Sequence, residues 1–181
     1  MRGYFGIGVE GITKPQNAGA LFRSAHAFGA RFLFTVAADY SRNRAKLADT
    51  SDAPGSVPLY EWASLEEMRL PAGCKLVGIE LVDESIPLPS FRHPPQAAYV
   101  LGPERGSLSP ALQARCDFVV RIPTAFCINL SMAGAIVMYD RALCHGRFAE
   151  RPVAPGGPPE ERPPHVHGGP VLRRLRRGEI G

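Results

Sequence analysis

Residues 98–141 read AYVLGPERGSLSPALQARCDFVVRIPTAFCINLSMAGAIVMYDR, and this stretch decides the fold. Ala98 to Leu101 is a short apolar run of the kind that forms a buried strand, and it breaks into a loop bounded by glycines, Gly102-Pro103-Glu104-Arg105-Gly106. A short helix follows from about Ser109 to Arg115, then a second apolar strand from Phe118 to Ile122. Two strand ends and two loops are thereby drawn together. In open α/β sheets the crevice beyond the carboxyl ends of the strands is where small ligands bind, so this segment is the first candidate for a site.

The segment closes with a helix in which Leu130, Met132, Ala133, Ala135, Ile136, Val137, Met138 and Tyr139 leave no polar stripe. A helix apolar all the way round is normally covered all the way round. At about a dozen residues it falls short of the roughly 20 that a bilayer requires. Its own domain or a second copy of the chain must therefore cover it. Ser131, Ala133, Gly134 and Ala135 are small enough to let another backbone approach closely.

Working back to the start of the chain, Tyr4 to Glu10 reads as a first strand and Gly11 to Pro15 as its turn. Asn17 is a suitable N-cap for a helix from Ala18 to about Phe28. Ala18, Leu21, Phe22, Ala25 and Phe28 fall at helical spacing on its core face, with Arg23 and His26 to the side and Gly29 as the stop. Arg31 to Val36 is a second strand, which makes a β-α-β unit and hence a parallel pair with a right-handed crossover. Residues 37–58 are polar, with Arg42, Arg44 and Lys46 near Tyr40, and form either an RNA-contacting loop or a solvated one. Val57 to Trp62 can form a short strand. Ser64, with Glu67 three residues on, matches a capping box opening a helical turn that runs to Arg69. Lys75 to Leu81 is a further strand, and Asp83 to Pro95, which holds four prolines, is expected to be irregular. The alternation of strands and helices predicts an α/β fold built on a parallel sheet.

The 181 residues, 45% of them hydrophobic, suit one domain able to bury a core without disulfides or metal. We expect that domain to occupy residues 1–148. Residues 149–181 are rich in proline, glycine and arginine and bury too little apolar surface to offset their ordering entropy. They are expected to be a disordered tail whose Arg173, Arg174, Arg176 and Arg177 form a basic end. Cys74, Cys116, Cys127 and Cys144 lie at no zinc-ligand spacing, and His165 and His167 have no carboxylate or cysteine suitably spaced, so no metal site is expected. The opening MRGYFGIGVEG enters an apolar run without a cleavable leader, and no segment reaches membrane-spanning length. The expectation is a cytoplasmic protein that makes no membrane contact. A net charge of +4 is compatible with a polyanionic partner. No G-x-G-x-x-G stands in the first βα turn, since in the spacing at Gly6, Gly8 and Gly11 the first two glycines fall within the strand run instead, and there is no G-x-x-x-x-G-K-[ST] loop, which argues against a dinucleotide site and a P-loop.

Three motifs in order carry a family resemblance: Asn17-Ala18-Gly19-Ala20-Leu21-Phe22-Arg23, then Gly102 to Ser109, then Ile122-Pro123 with Asn129-Leu130-Ser131. They resemble the motifs of the SPOUT class of RNA methyltransferases, TrmH (SpoU) branch, and the resemblance covers nearly everything from Tyr4 to Arg147. It implies a parallel-sheet SPOUT fold with a C-terminal deep trefoil knot, S-adenosylmethionine as cofactor, and a homodimer in which each site borrows residues from both copies. It implies further that the adenosine lies against backbone around Gly102, Ile122 and Ile128, with Leu101, Cys127 and Ile79 or Glu80 beside them. The partner would be tRNA or rRNA, methylated on a ribose 2′-hydroxyl.

The resemblance assigns Arg23 to the reacting hydroxyl. A guanidinium stays protonated at ordinary pH, so stabilising the forming oxyanion suits it better than acting as a base. Asn17 would orient substrate or cap its helix, Glu104 would hold Arg23 or the pocket loops, and Asn129 would fix the pocket geometry. The chain departs from the family where a serine is common two residues before the asparagine, since it carries Cys127 there. Two alternatives stay open: a base N-methyltransferase on the same scaffold, and a non-catalytic RNA-binding module.

Overall fold

In a computed structural model of the chain, residues 3–40, 53–149, 151–152 and 155–157 are described. The basic loop around Arg42, Arg44 and Lys46, and the tail beyond 157 with its expected disorder, its His165 and His167 and its arginine-rich end, lie outside the described residues. Met1–Gly146 form one compact unit and Arg147–Gly181 are grouped as a second. The first unit holds all the elements below.

Among the described residues seven strands form one sheet: β1 (Tyr4–Glu10), β2 (Phe32–Val36), β3 (Leu59–Trp62), β4 (Lys75–Ile79), β5 (Ile86–Pro87), β6 (Gln96–Leu101) and β7 (Phe118–Arg121). Their order is β3-β2-β1-β6-β4-β7-β5, and every pairing is parallel. Among the described residues four helices accompany them: α1 (Pro15–Ala27), α2 (Ala53–Ser56), α3 (Pro110–Arg115) and α4 (Leu130–His145). The register aligns Val9 with Leu101, Leu101 with Ile79 and Ile79 with Val120, so the carboxyl ends of β1, β6, β4 and β7 come level along one edge.

The two faces of the sheet follow from strand alternation. Ile7, Val9, Leu33, Val77, Tyr99 and Leu101 pack with Leu21 and Phe22 of α1 and Val137 and Met138 of α4. Phe32, Phe34, Val36, Leu76, Ala98 and Val100 pack on the other side with Met68, Leu108 and Leu112. Gly134 is where α4 comes nearest: a Cβ there would stand 2.3 Å from Leu21 Cδ1. At the opposite end of α4, Arg141 is 3% exposed and donates to the carbonyls of Pro94 (2.6 Å), Pro95 (2.8 Å) and Tyr4 (3.3 Å) and to the Tyr99 hydroxyl (3.1 Å). It thereby pins the helix to the starting edge of β1 and β6. His93 bonds the Tyr99 hydroxyl through Nδ1 and Asp140 through Nε2 at 3.0 Å. Burial pushes the Tyr99 phenol up to about 12 despite the nearby guanidinium.

Several expectations are corrected. The first helix begins at Pro15, whose fixed φ suits the first helical position, so Lys14 is the N-cap residue and Asn17 lies inside the helix. Phe28 is 37% exposed instead of buried, because the helix ends at Ala27 and Phe28 caps it. Gly29, at φ +77°, does stop the helix. The capping box does not form: Ser64 makes no cap bond, and Glu67 accepts the Ala63 N–H at 3.1 Å, since only the three-residue 3-10 turn Leu65–Glu67 follows. The proline-rich segment still contributes β5, a two-residue strand at the sheet edge where few backbone donors are needed. The last helix, expected to be covered on every side by its own domain or a second copy, is covered by its own domain on one side only. One side is buried, while Met132, Ile136, Tyr139 and Leu143 are exposed at spacings of four, three and four residues.

Candidate functional site

Beyond the carboxyl ends of β4, β6 and β7 lies a cavity of about 300 Å³, at the small end of the range usual for ligand sites. Three carboxylates fix the loops around it. Glu10, ending β1, accepts the Ser109 N–H (2.7 Å) and hydroxyl (2.6 Å), and Ser109 in turn caps α3 by accepting from Leu112 N–H at 3.1 Å. Glu80, just past β4, accepts the N–H groups of Leu108 (2.7 Å) and Leu81 (2.9 Å). Gly102 permits this closure, because a Cβ there would stand 2.9 Å from the Leu108 nitrogen.

Glu104 reaches from the same loop to the turn between β1 and α1. Its Oε1 accepts from Lys14 N–H (3.0 Å) and Asn17 Nδ2 (3.2 Å), and its Oε2 from the Thr13 N–H and hydroxyl, both at 3.3 Å. Asn17 Oδ1 then accepts from Asn129 Nδ2 at 3.1 Å. Asn129 is the N-cap of α4, its Oδ1 accepting the Ser131 N–H (2.9 Å) and hydroxyl (2.6 Å). A continuous hydrogen-bonded chain thus joins three runs far apart in sequence. Burial pushes the Glu104 carboxyl upward, but the hydrogen bonds from its own backbone, Lys14, Asn17 and Thr13 outweigh it and hold the pKa below the ordinary value.

Of the residues singled out in the sequence, Ile79, Leu101, Gly102, Ile122, Cys127 and Ile128 line the cavity together with Asn17, Glu104 and Asn129. Arg23 does not. It is exposed on α1, and six residues beyond Asn17 it is carried about 9 Å along the helix and roughly 240° around it. Lys14 and Thr124 also line the cavity and have no counterpart in the sequence reading. The Thr13 and Lys14 amides that grip Glu104 are main-chain donors, which no residue type advertises. Phe126, 76% exposed between Thr124 and Cys127, was equally silent in the sequence.

The lining combines an apolar floor with carboxylates. Ile79, Leu101, Ile122, Ile128 and Leu130 offer flat contact, and Glu80 and Glu104 supply negative charge. Such a set suits a ligand with a planar apolar-faced part and a cationic or hydroxyl-bearing part. Glu104, Asn17 and Asn129 already hold one another, so their arrangement fixes loop geometry.

Comparison with known proteins points in one direction. The family described as SpoU rRNA Methylase family matches residues 5–139. The chain is 27% identical over 143 residues to a 23S rRNA (guanosine-2′-O-)-methyltransferase RlmB of Acinetobacter baylyi, a match spanning 74% of this chain and 57% of the relative. It is 27% identical over 143 residues to a tRNA (guanosine(18)-2′-O)-methyltransferase of Mus musculus, spanning 71% of this chain and 9% of the relative. In architecture it resembles the SpoU methyltransferase AviRb from Streptomyces viridochromogenes solved with AdoMet, with a TM-score of 0.68 and 23% identity over 79% of this chain and 61% of that one. The chain spans little more than half the length of the bacterial relative and a small part of the mouse one.

Proposed function

This chain belongs to the SpoU rRNA methylase family, and on that premise we propose that it is an S-adenosylmethionine-dependent RNA methyltransferase acting on a ribose 2′-hydroxyl of tRNA or rRNA. The observation that carries the reading is the hydrogen-bonded chain Glu104–Asn17–Asn129 at the rim of a cavity floored by Ile79, Leu101, Ile122 and Ile128. The relatives described above, which are methyltransferases of guanosine 2′-hydroxyls in rRNA and tRNA, support the substrate class.

The lining fits the cofactor on its own chemistry, because apolar side chains suit an adenine face and two carboxylates suit a positive charge. When bound, S-adenosylmethionine supplies a methyl on a cationic sulfur that departs as a neutral thioether. The protein's own task is to hold the acceptor oxygen in line and to favour loss of its proton. Glu104, Asn17 and Asn129 keep the loops in register for that alignment. Arg23 offers its guanidinium to the oxygen as negative charge develops on it. Arg23 lies outside its own chain's cavity, and in the proposed dimer it serves the cavity of the second copy. The reading therefore includes a homodimer paired through α4, supported by the exposed stripe Met132, Ile136, Tyr139 and Leu143. It also includes the deep trefoil knot of the family, a methyltransferase domain ending near residue 148, and a cytoplasmic location where such RNAs are processed. Among the described residues no helix is long and apolar enough to cross a membrane.

Thermal unfolding with added S-adenosylmethionine tests the cofactor: a ligand of the native state at about 100 times its Kd adds about 2.7 kcal/mol, so the midpoint rises with concentration. Transfer of labelled methyl from S-adenosylmethionine to unmodified total tRNA and rRNA, with mass analysis after nuclease digestion, tests the reaction. Label retained on ribose is the expected result. Label on a base would overturn the ribose assignment, and no midpoint shift at millimolar cofactor would overturn the enzyme.

A further inference from the structure

We infer that Phe126 is the surface on which a nucleobase of the acceptor RNA stacks as its ribose enters the cavity, an inference that rests on the RNA reading above. Phe126 is the most exposed large hydrophobic side chain among the described residues, at 76%. A lone exposed apolar residue is common and proves little, but three further observations give this one a purpose.

The first is its neighbours. Thr124 and Cys127, on either side, line the cavity, so Phe126 belongs to the loop that bounds it. The second is its support. The Thr124 N–H donates to the Ile122 carbonyl at 2.8 Å, and the Thr124 hydroxyl donates to the carbonyl of Phe126 itself at 2.9 Å. The ring is thus presented from a tethered loop, which lowers the entropy cost of using it. The third is charge, because Lys14 lines the same cavity and is itself exposed, offering a cation to the phosphate of a stacked nucleotide. A phenyl ring has no hydrogen-bonding group with which to read a base edge, but it matches the flat face that every base carries. Phe126 also differs from Met132, Ile136, Tyr139 and Leu143, which share one helical stripe suited to a second copy.

The test uses the full-length protein and the tRNA and rRNA pools of the methyl-transfer assay. Phe126→Ala should raise KM for the accepting RNA by about tenfold, within the range that loss of one base stack gives, with the midpoint shift by S-adenosylmethionine and the oligomeric state unchanged. Phe126→Tyr should restore KM, whereas Phe126→Leu, equally apolar but without a flat face, should not. Rescue by Leu as complete as by Tyr, an unchanged KM in Phe126→Ala, or dissociation of the dimer in that variant would each overturn the inference, the last by making the partner copy the occupant. Absence of transfer to either RNA pool by the unsubstituted protein would instead remove the RNA reading itself.

Discussion

Asn17 donates to one sequence-distant run and accepts from another, so it is the residue through which the site can be tested most sharply. Asn17→Ala removes both bonds and should cost about 1–2 kcal/mol in urea unfolding, since one of them involves a charged acceptor. Asn17→Asp should be worse at neutral pH, because a second carboxylate would replace the donor 3.2 Å from Glu104 Oε1 and raise the Glu104 pKa. The gap between the two variants should close below about pH 4 as the carboxyls protonate. His93 offers a second test. Its burial holds the pKa below 6.5, against the upward pull of Asp140 and with the help of Arg141 and His145. The unfolded chain therefore binds the extra proton first, and the stability conferred by neutral His93 is complete above pH 6.5 and lost as pH falls toward the folded pKa. Burial lowers the His145 pKa as well, which adds to the same trend. His93→Gln should flatten the decline in urea midpoint between about pH 7.5 and about pH 5.5, with the His145 contribution remaining. Glu104 and Asn129 were legible as motif residues. The partner of Asn17 was not, because an asparagine near a helix start reads as a cap until the helix is seen to begin two residues earlier.

The helix α4 has two faces with different demands. At Gly134 it meets Leu21, which is fully buried and cannot swing away, so Gly134→Val should destabilise by about 1–3 kcal/mol through overpacking. Thermal unfolding would show it, whereas Gly134→Ala should lose less because better helix propensity, worth about 1 kcal/mol, offsets part of the clash. The strands were legible because their apolar runs are short and bounded by turn residues, and β1, β4 and β6 begin at or within two residues of the expected positions. What composition could not separate was the covered side of α4 from the open one. Met132 and Met138 are the same residue type, yet one is 59% exposed and the other 1%. The pattern for a capping box at Ser64 failed for a related reason: a three-residue turn gives its acidic residue a nearer donor than the one the motif assumes.

For the molecule as a whole, the proposed pairing through the open side of α4 is open to a direct test. Ile136→Glu, at the centre of the exposed stripe, should shift the protein to monomer in sedimentation or light scattering while leaving its far-ultraviolet circular dichroism intact, because Ile136 is 37% exposed and outside the buried core. The α/β class and the parallel β1–β2 pair were readable in the sequence, but the neighbours of the other strands were not, since pairing across the sheet leaves no local trace. The strand order carries a consequence of its own. β1 is hydrogen-bonded on one side to β2, and on the other to β6, whose partners for Tyr4 and Phe5 are Gln96 and Ala97. During synthesis the opening strand therefore waits for nearly a hundred residues to emerge before its second side is paired, and the cavity edge at Leu101 forms only then. Loop closure over such separations is slow compared with local helix formation. Paired with β2 alone, β1 presents one edge of unsatisfied N–H and C=O groups, the kind of edge to which another extended chain can add.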